Sequence, residues 1–404
     1  MTDKNYDIGE INPIVTKKSN LNENRLNILI PAISDRHMFG GISTAMRFFY
    51  HMRSYFDDLR IIVIDEDDTH KTSTANIKEF IKSNNEESDK NGQLIHFVFD
   101  RKNSIIPIRK NDLFISTAWW TDIILKEIKK EQCAYFKNAR QKKHIYIIQD
   151  YEPGFYPFST RYALAESTYV ESDDTIALMN SKFLNDHFIK NDYKFHKQYY
   201  FDPIINPDLK SKLKHIPKTI KDKKILIYGR PDTPRNCFDI ILQGLVLWSS
   251  KNPESKNWKI YSAGQKHKDI NLENNNTLIS LGKLPIEEYA DHLLTSYCGI
   301  SLMVSPHPSY PPLEMSAFNL KIITNRFKQR SLSSHLPETI ELDVINAKSI
   351  SNALDIISHH HETNTNINIT PPTSNYLENF MNRTNEFEHV SLEIFKNLDQ
   401  EISK

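Results

Sequence analysis

From Leu26 onward the chain alternates short apolar runs with stretches in which apolar residues recur every three or four positions. The runs LNILIPAI, LRIIVID, LIHFVFD, DLFIST, HIYIIQD and TIALMNS are rich in Ile, Leu, Phe and Val and close on polar residues. That pattern predicts parallel strands buried on both faces. Between them, ISTAMRFFYHMRSYF and AWWTDIILKEIKKE carry the helical period. A second series, KKILIYG, WKIYSAG, TLISLG, CGISLMVS, KIITN and TIELDV, is again separated by helix patterns such as CFDIILQGLVLWSS and IEEYADHLL. Strand and helix in alternation predict α/β architecture, here two Rossmann-like domains in tandem. The stretch DPIINPDLKSKLKHIPKTIKDK, rich in Pro and Lys, reads as the linker between them. A helical stretch, YLENFMNRTNEFEHVSLEIFKNL, closes the chain after a polar gap. No repeat of about 20 to 50 residues is visible, which excludes a solenoid.

The length of 404 residues agrees with two domains, at about 150 residues per domain. The 51 basic and 51 acidic residues balance, so no global field would hold a polyanion, and general nucleic-acid binding is not expected. Three cysteines, Cys133, Cys237 and Cys298, lie far apart with no CxxC pair, which excludes a disulfide framework and a Cys-rich zinc site and suits a reducing compartment. Residues 1–25 have no apolar stretch of the signal-peptide kind, and no window reaches the ~18 apolar residues of a spanning helix. The expectation is a soluble cytoplasmic protein.

GxGxxG, GxxxxGK[ST] and HExxH are all absent, which removes the main sequence support for dinucleotide, P-loop and zincin chemistry. At the first strand-to-helix junction, Gly40 and Gly41 precede a helix. Free backbone N–H groups and a bare Cα there admit an anion or a sugar, and a tight turn would look the same. In the second series KKILIYG runs into Gly229 and Arg230, with Arg235 just before the next helix. Guanidiniums at the C-terminal end of a strand sit where open α/β sheets bind ligands, and they fork onto phosphate oxygens. Gly282 and Lys283 end another strand and would bring a third cation to the same mouth.

The strand CGISLMVS empties into PHPSYPPLEMSAFN. Here the chain resembles the GT-B glycosyltransferases of family 4, whose motif at this point has the form EGFGLPPLEAMACG. The segment YPPLEMSAFNLKIIT fits the second half of that motif, and ILIYGRPDTPRNCFDIILQGL is similar to the family's strand, Gly-Arg and basic helix start. Glu314 then corresponds to the carboxylate that holds the ribose hydroxyls of a nucleotide sugar. One departure stands out: Pro306 occupies the place of the motif's first Glu, and His307 that of the Gly after it. PHPSYPPLEM together with QDYEPGFYP most resembles WsaF-like rhamnosyltransferases.

The resemblance implies two Rossmann-like domains whose parallel sheets face a central cleft. A polar segment at 1–24 would precede an acceptor-binding domain at 25–205, completed by a returning C-terminal helix at 375–404, with a nucleotide-sugar domain at 206–374. It implies transfer of a sugar, L-rhamnose from dTDP-L-rhamnose as co-substrate, onto a growing glycan or lipid-linked glycan, with retention of configuration and with neither metal nor cofactor. Arg230 and Lys283 would offset the charge of the leaving diphosphate. Arg230, Arg235, Gly264, Lys283, Leu284, Ser309, Tyr310 and Glu314 would bind the donor. The alternatives are another hexose or deoxyhexose as donor sugar, a nucleotide-sugar epimerase, and a glycan-binding protein without catalysis.

For the acceptor, Gln149, Asp150, Tyr151 and Glu152 close a first-domain strand beside a Gly-Pro-aromatic loop. With Gly40 and Gly41, the carboxylates of Asp150 and Glu152 would receive sugar hydroxyls, or they would only cap the next helix. The acidic run at 65–68 would be a metal site or a solvated loop, and His359, His360 and His361 are expected in a loop, with a metal role as the alternative. The basic residues within 125–144 would form a solvated helix face, or a peripheral contact with the inner leaflet if the acceptor is lipid-linked.

Overall fold

The structure is a computed structural model and describes residues 8–34, 40–67, 77–83, 89–137, 141–216, 220–363 and 374–402. The chain forms two units, Met1–Phe201 with Phe387–Lys404, and Asp202–Glu386.

In chain order the first unit contains β1 (Val15–Lys18), β2 (Arg25–Ile30), α1 (Gly41–His51), β3 (Asp58–Val63), β4 (Ile81–Lys82), β5 (Gln93–Phe97), β6 (Ile105–Ile108) and β7 (Asp112–Ser116). It continues with α2 (Trp119–Phe136), β8 (His144–Ile148), α3 (Thr160–Val170), β9 (Thr175–Asn180), α4 (Lys182–Lys190) and β10 (Lys197–Phe201). Eight strands make a parallel sheet in the order β10-β9-β8-β7-β2-β3-β5-β4. In β2, Leu26, Ile28 and Ile30 enter one apolar cluster and Leu29 enters another on the opposite face. Burial of both faces is why this strand reads as an apolar run, interrupted between Leu26 and Ile30 by Asn27, whose buried amide donates to the Leu113 carbonyl at 2.9 Å.

Charges close the other end of the sheet. Arg25 forks onto Asp112 at 2.7 and 2.8 Å and reaches Asp89 at 2.8 Å, while Arg109 bonds Asp58 at 2.5 Å and Asp89 at 2.8 Å. Arg25, Asp58 and Asp112 open β2, β3 and β7. The network thus ties down the N-terminal ends of the strands and leaves the C-terminal ends, the ligand side of such sheets, to the connecting loops.

The second unit contains α5 (Pro207–Lys212), β11 (Asp222–Gly229), α6 (Phe238–Lys251), β12 (Lys259–Gly264), β13 (Ile270–Asn271), β14 (Thr277–Gly282) and α7 (Ile286–Thr295). After them come β15 (Ser296–Ile300), α8 (Pro311–Ala317), β16 (Lys321–Asn325), β17 (Thr339–Leu342), α9 (Ala347–Thr363) and α10 (Asn375–Asn382). Its sheet runs β13-β14-β12-β11-β15-β16-β17 and is parallel except for β13. From β14 to β17 this is the doubly wound order, in which the connections reverse direction between β11 and β15 and open a crevice there.

The stretch read as a linker is built into this unit. Asn206 caps α5 through the Asp208 N–H at 2.8 Å, Leu209 is buried, and Lys212 pairs with Glu287 on α7. The closing stretch splits in two. The Ile205 N–H bonds the Phe380 carbonyl at 2.8 Å, which keeps α10 with the second unit, whereas α11 (Ser391–Ile402) places Ile394 and Leu398 in the core of the first.

Candidate donor and acceptor sites

At the crevice of the second unit β11 ends on Gly229 and leads into half-buried Arg230. The neighbouring strand β12 ends on Gly264 at φ +136°, opposite Gly229. A Cβ on Gly264 would lie 2.7 Å from the Gly229 carbonyl oxygen and 3.2 Å from Arg230 Cγ, so the position stays bare. One strand further, β14 ends on Gly282, followed by exposed Lys283 and then Leu284 on the turn into α7. Two strand spacings put the Arg230 and Lys283 backbones about 10 Å apart across the bare Gly264. Among the described residues no carboxylate pairs with Arg230. A diphosphate laid over Gly264 would meet a cation on either side.

The loops flanking the crevice are stitched together. The Val304 N–H bonds the Arg235 carbonyl at 2.8 Å, and Asn236 Nδ2 bonds the Leu302 carbonyl at 3.3 Å. Arg330, which sequence reasoning passed over, is buried and donates to the carbonyls of Met303, Ser305 and Asn325 at 2.8, 3.0 and 3.0 Å. Pro306 cannot supply the carboxylate of the family motif, and His307 beside it is turned onto its own loop. Its Nδ1 accepts the Ser309 N–H at 3.0 Å, which puts the ring proton of the neutral imidazole on Nε2. Ser309 is buried at φ +69°, in the left-handed region, at the place of the motif's second glycine.

Tyr310 then leads into α8, whose first turn carries Glu314. Tyr289 of α7 donates from its hydroxyl to Glu314 Oε2 at 3.0 Å. Burial pushes the Glu314 carboxyl up to about 7, against the downward pull of that hydrogen bond. The side chain remains partly accessible. Tyr289 was visible in the sequence only as one aromatic of a helix pattern.

In the first unit Gly40 stands at φ 54°, ψ −119°, before α1, and a Cβ on Gly41 would lie 3.1 Å from Gln149 Cγ. Gly41 and the residue that follows β8 are thus brought together. Asp150 Oδ1 accepts the Tyr151 N–H at 2.8 Å. Glu152 points inward: it is buried and accepts from the Tyr146 hydroxyl and the Trp119 backbone N–H. Burial pushes it up to about 8, against both of those bonds. It is placed to hold the fold rather than a ligand. On the loop that follows, Phe155 and Phe158 are exposed, and Phe158 packs on Tyr162 with ring centroids 5.0 Å apart.

The remaining candidates resolve locally. Asp65 accepts from Arg101 at 2.7 Å and from the Trp120 indole at 2.8 Å, and Glu66 caps the Ile33 and Ser34 N–H groups at 2.7 and 2.9 Å. Asp68 and Arg140 lie outside the described residues. The three histidines expected in a loop sit within α9, where His360 Nδ1 and the Tyr297 hydroxyl share a hydrogen bond at 2.6 Å and His361 Nε2 meets the Lys221 carbonyl at 3.0 Å. In the basic stretch of α2, Lys126 reaches Asp122 at 3.0 Å and Lys129 is buried against Asp174, so neither contributes to a cationic surface stripe. No helix among the described residues is long and apolar enough to cross a membrane.

Comparison with known proteins fits this architecture. The sucrose-phosphate synthase of Thermosynechococcus elongatus superposes with a TM-score of 0.58, covering 94% of this chain and 99% of that one at 9% identity. The trehalose-6-phosphate synthase OtsA does so with a TM-score of 0.56, covering 93% and 99% at 10% identity. These likenesses establish the GT-B fold. The O-antigen biosynthesis protein RfbC of Myxococcus xanthus is 28% identical over 218 residues, 53% of this chain, and the match spans 15% of that longer protein. The WsaF N-terminal domain matches residues 25–182 and the WsaF C-terminal domain residues 223–355. Both halves of one family are therefore present in their order, and the chain belongs to the WsaF family with a GT-B fold.

Proposed function

We propose that this chain is a glycosyltransferase that moves a sugar from a nucleoside-diphosphate donor onto a growing glycan. What supports this is the placement of Arg230 and the bare Gly264 at the ends of β11 and β12, with Glu314 in the first turn of the helix that follows the neighbouring β15. Glu314 offers an acceptor to a pentose hydroxyl, and the bare strand end lets the diphosphate approach the Arg230 guanidinium. In the transfer the bond between the anomeric carbon and the phosphate oxygen breaks, and the acceptor hydroxyl oxygen bonds to that carbon. The leaving diphosphate takes the electron pair, and its growing charge is met by preorganised cations, Arg230 first, with Lys283 and Arg235 in support. The acceptor proton goes to the leaving phosphate or to solvent.

L-Rhamnose from dTDP-L-rhamnose, transferred with retention, is the finer reading; it rests on the resemblance to WsaF-like rhamnosyltransferases. The name of the relative, an O-antigen biosynthesis protein, supports a polysaccharide acceptor. In the first unit Gly40, Gly41 and Asp150 remain acceptor candidates, with Phe155 and Phe158 as faces on which a sugar ring would stack.

The test is nucleoside-diphosphate release from a panel of nucleotide sugars, with and without glycan oligosaccharides. Release that requires the glycan supports transfer. Turnover of donor without acceptor would indicate an epimerase, and glycan binding with every donor left intact would indicate a binding protein.

A further inference from the structure

We propose that Lys221 is a positioning residue for the donor site: it clamps the C-terminal ends of α7 and α8 to each other and so holds Glu314 in place for the nucleotide. The inference rests on the donor site proposed above and adds to it a residue that touches no ligand. Lys221 belongs to the Lys-rich stretch that reads as a linker, yet it is only 4% exposed and stands immediately before β11. Its Nζ donates to the Leu293 carbonyl of α7 and to the Phe318 carbonyl at the end of α8, both at 2.6 Å. Its own carbonyl meets His361 Nε2 of α9 at 3.0 Å. Leu293 follows Tyr289 by four residues and Phe318 follows Glu314 by four, in each case about one helical turn. The hydrogen bond from Tyr289 to Glu314 at 3.0 Å and the Lys221 clamp are thus two ties between the same two helices, about one turn apart.

An amine buried here is unfavourable in itself. Among the described residues no carboxylate pairs with Lys221, and burial alone pushes its ammonium down to about 7. A hydrocarbon side chain would fill the same space without that penalty. What it could not do is serve two carbonyls at helix ends, where the helix supplies no further N–H to meet them. The ammonium and the neutral amine both carry enough N–H bonds for two acceptors, so the clamp outlasts the titration of Lys221. The need is greatest at α8, which has only seven residues and opens on Pro311 and Pro312, neither of which has an N–H to donate. With so few bonds of its own, the helix that carries Glu314 takes its position from its partners.

The experiment is a double-mutant cycle of Lys221→Met and Glu314→Ala, read by calorimetric titration of the full chain with dTDP and with UDP and by thermal unfolding. Alone, Lys221→Met should weaken the tighter-binding nucleotide about fivefold, because the carboxylate is no longer held where the pentose meets it. In the Glu314→Ala background the same replacement should change that affinity by less than about twofold, since the group through which Lys221 acts is gone. The melting temperature should fall on loss of Lys221 in both backgrounds. If Lys221→Met does not fold, Lys221→Gln, whose stem is one atom shorter, takes its place in the same cycle. Equal weakening in both backgrounds, or none in either, would overturn the proposal while leaving the donor site standing. Failure of the wild type to bind either nucleotide would remove the donor site and this inference with it.

Discussion

Replacing Glu314 separates a ligand-holding carboxylate from one that only steadies a helix. In Glu314→Ala a nucleotide loses a hydrogen bond to a charged acceptor in a partly buried site, which is worth about 1.5 to 3 kcal/mol, or roughly ten- to more than a hundredfold in affinity. Stability responds differently. The folded state holds this carboxyl near 7 where its ordinary value is 4.5. Because the folded state binds the proton more tightly than the unfolded chain, stability falls as pH rises from about 4.5 through 7, by about 3 kcal/mol in full. Alanine removes that cost at pH 8 but leaves the Tyr289 hydroxyl without its acceptor, a loss of about 1 to 3 kcal/mol. The two nearly cancel at pH 8, whereas at pH 5 only the loss remains. Glu314→Gln, which keeps one acceptor oxygen, should lose less affinity than Glu314→Ala. Titration with dTDP, together with thermal unfolding at pH 5 and pH 8, reads all of these quantities. A residue that merely favours the first turn of α8 through its charge would change stability and leave nucleotide affinity alone. Equal affinity in wild type, Glu314→Gln and Glu314→Ala would therefore refute the assignment.

Arg230→Ala should lower the rate of transfer by about a hundredfold or more while the protein stays folded, since preorganised charge at the leaving group is a large part of the barrier reduction; steady-state rates of nucleotide release check this. Glu152→Gln should raise the melting temperature by several degrees at pH 8.5 and not at pH 5. It removes a carboxyl held near 8 by burial, whose cost appears only as pH climbs above the ordinary carboxylate range; a loss of acceptor affinity with no thermal gain would return Glu152 to the acceptor site. Transfer should persist in excess EDTA, because the proposed donor site sets Arg230 against the diphosphate and the Asp65 carboxylate is engaged by Arg101 and Trp120. Loss of activity that Mg²⁺ or Mn²⁺ restores would contradict it.

Most strands of both sheets were legible because burial on two faces demands a largely apolar run, as in LNILI and ILIYG. Those that escaped are short or lie at edges: IK in β4, IN in β13, KQYYF in β10 at the edge of the first sheet, and VTKK in β1 and IIPI in β6, which among the described residues pair with each other alone. Nothing local in the sequence announces that Asp58, Asp89 and Asp112 converge on Arg25 and Arg109. The histidine run looked like a loop because its partners, Tyr297 and Lys221, are distant in sequence. At the donor site Glu314 could be found through the motif that surrounds it. Arg330 and Tyr289 could not, because an arginine in KQRS acquires its role only when it meets the loop after β15, and a tyrosine in EEYAD only when α7 meets α8.

The account rests most heavily on the crevice between β11 and β15 as a nucleoside-diphosphate site, and a crystal structure of the chain with dTDP tests it directly. The account predicts a pentose hydroxyl on the Glu314 carboxylate and the diphosphate over Gly264 against the Arg230 guanidinium. A nucleotide bound elsewhere, or seated in this crevice with Glu314 and Arg230 both out of hydrogen-bond reach, would contradict it.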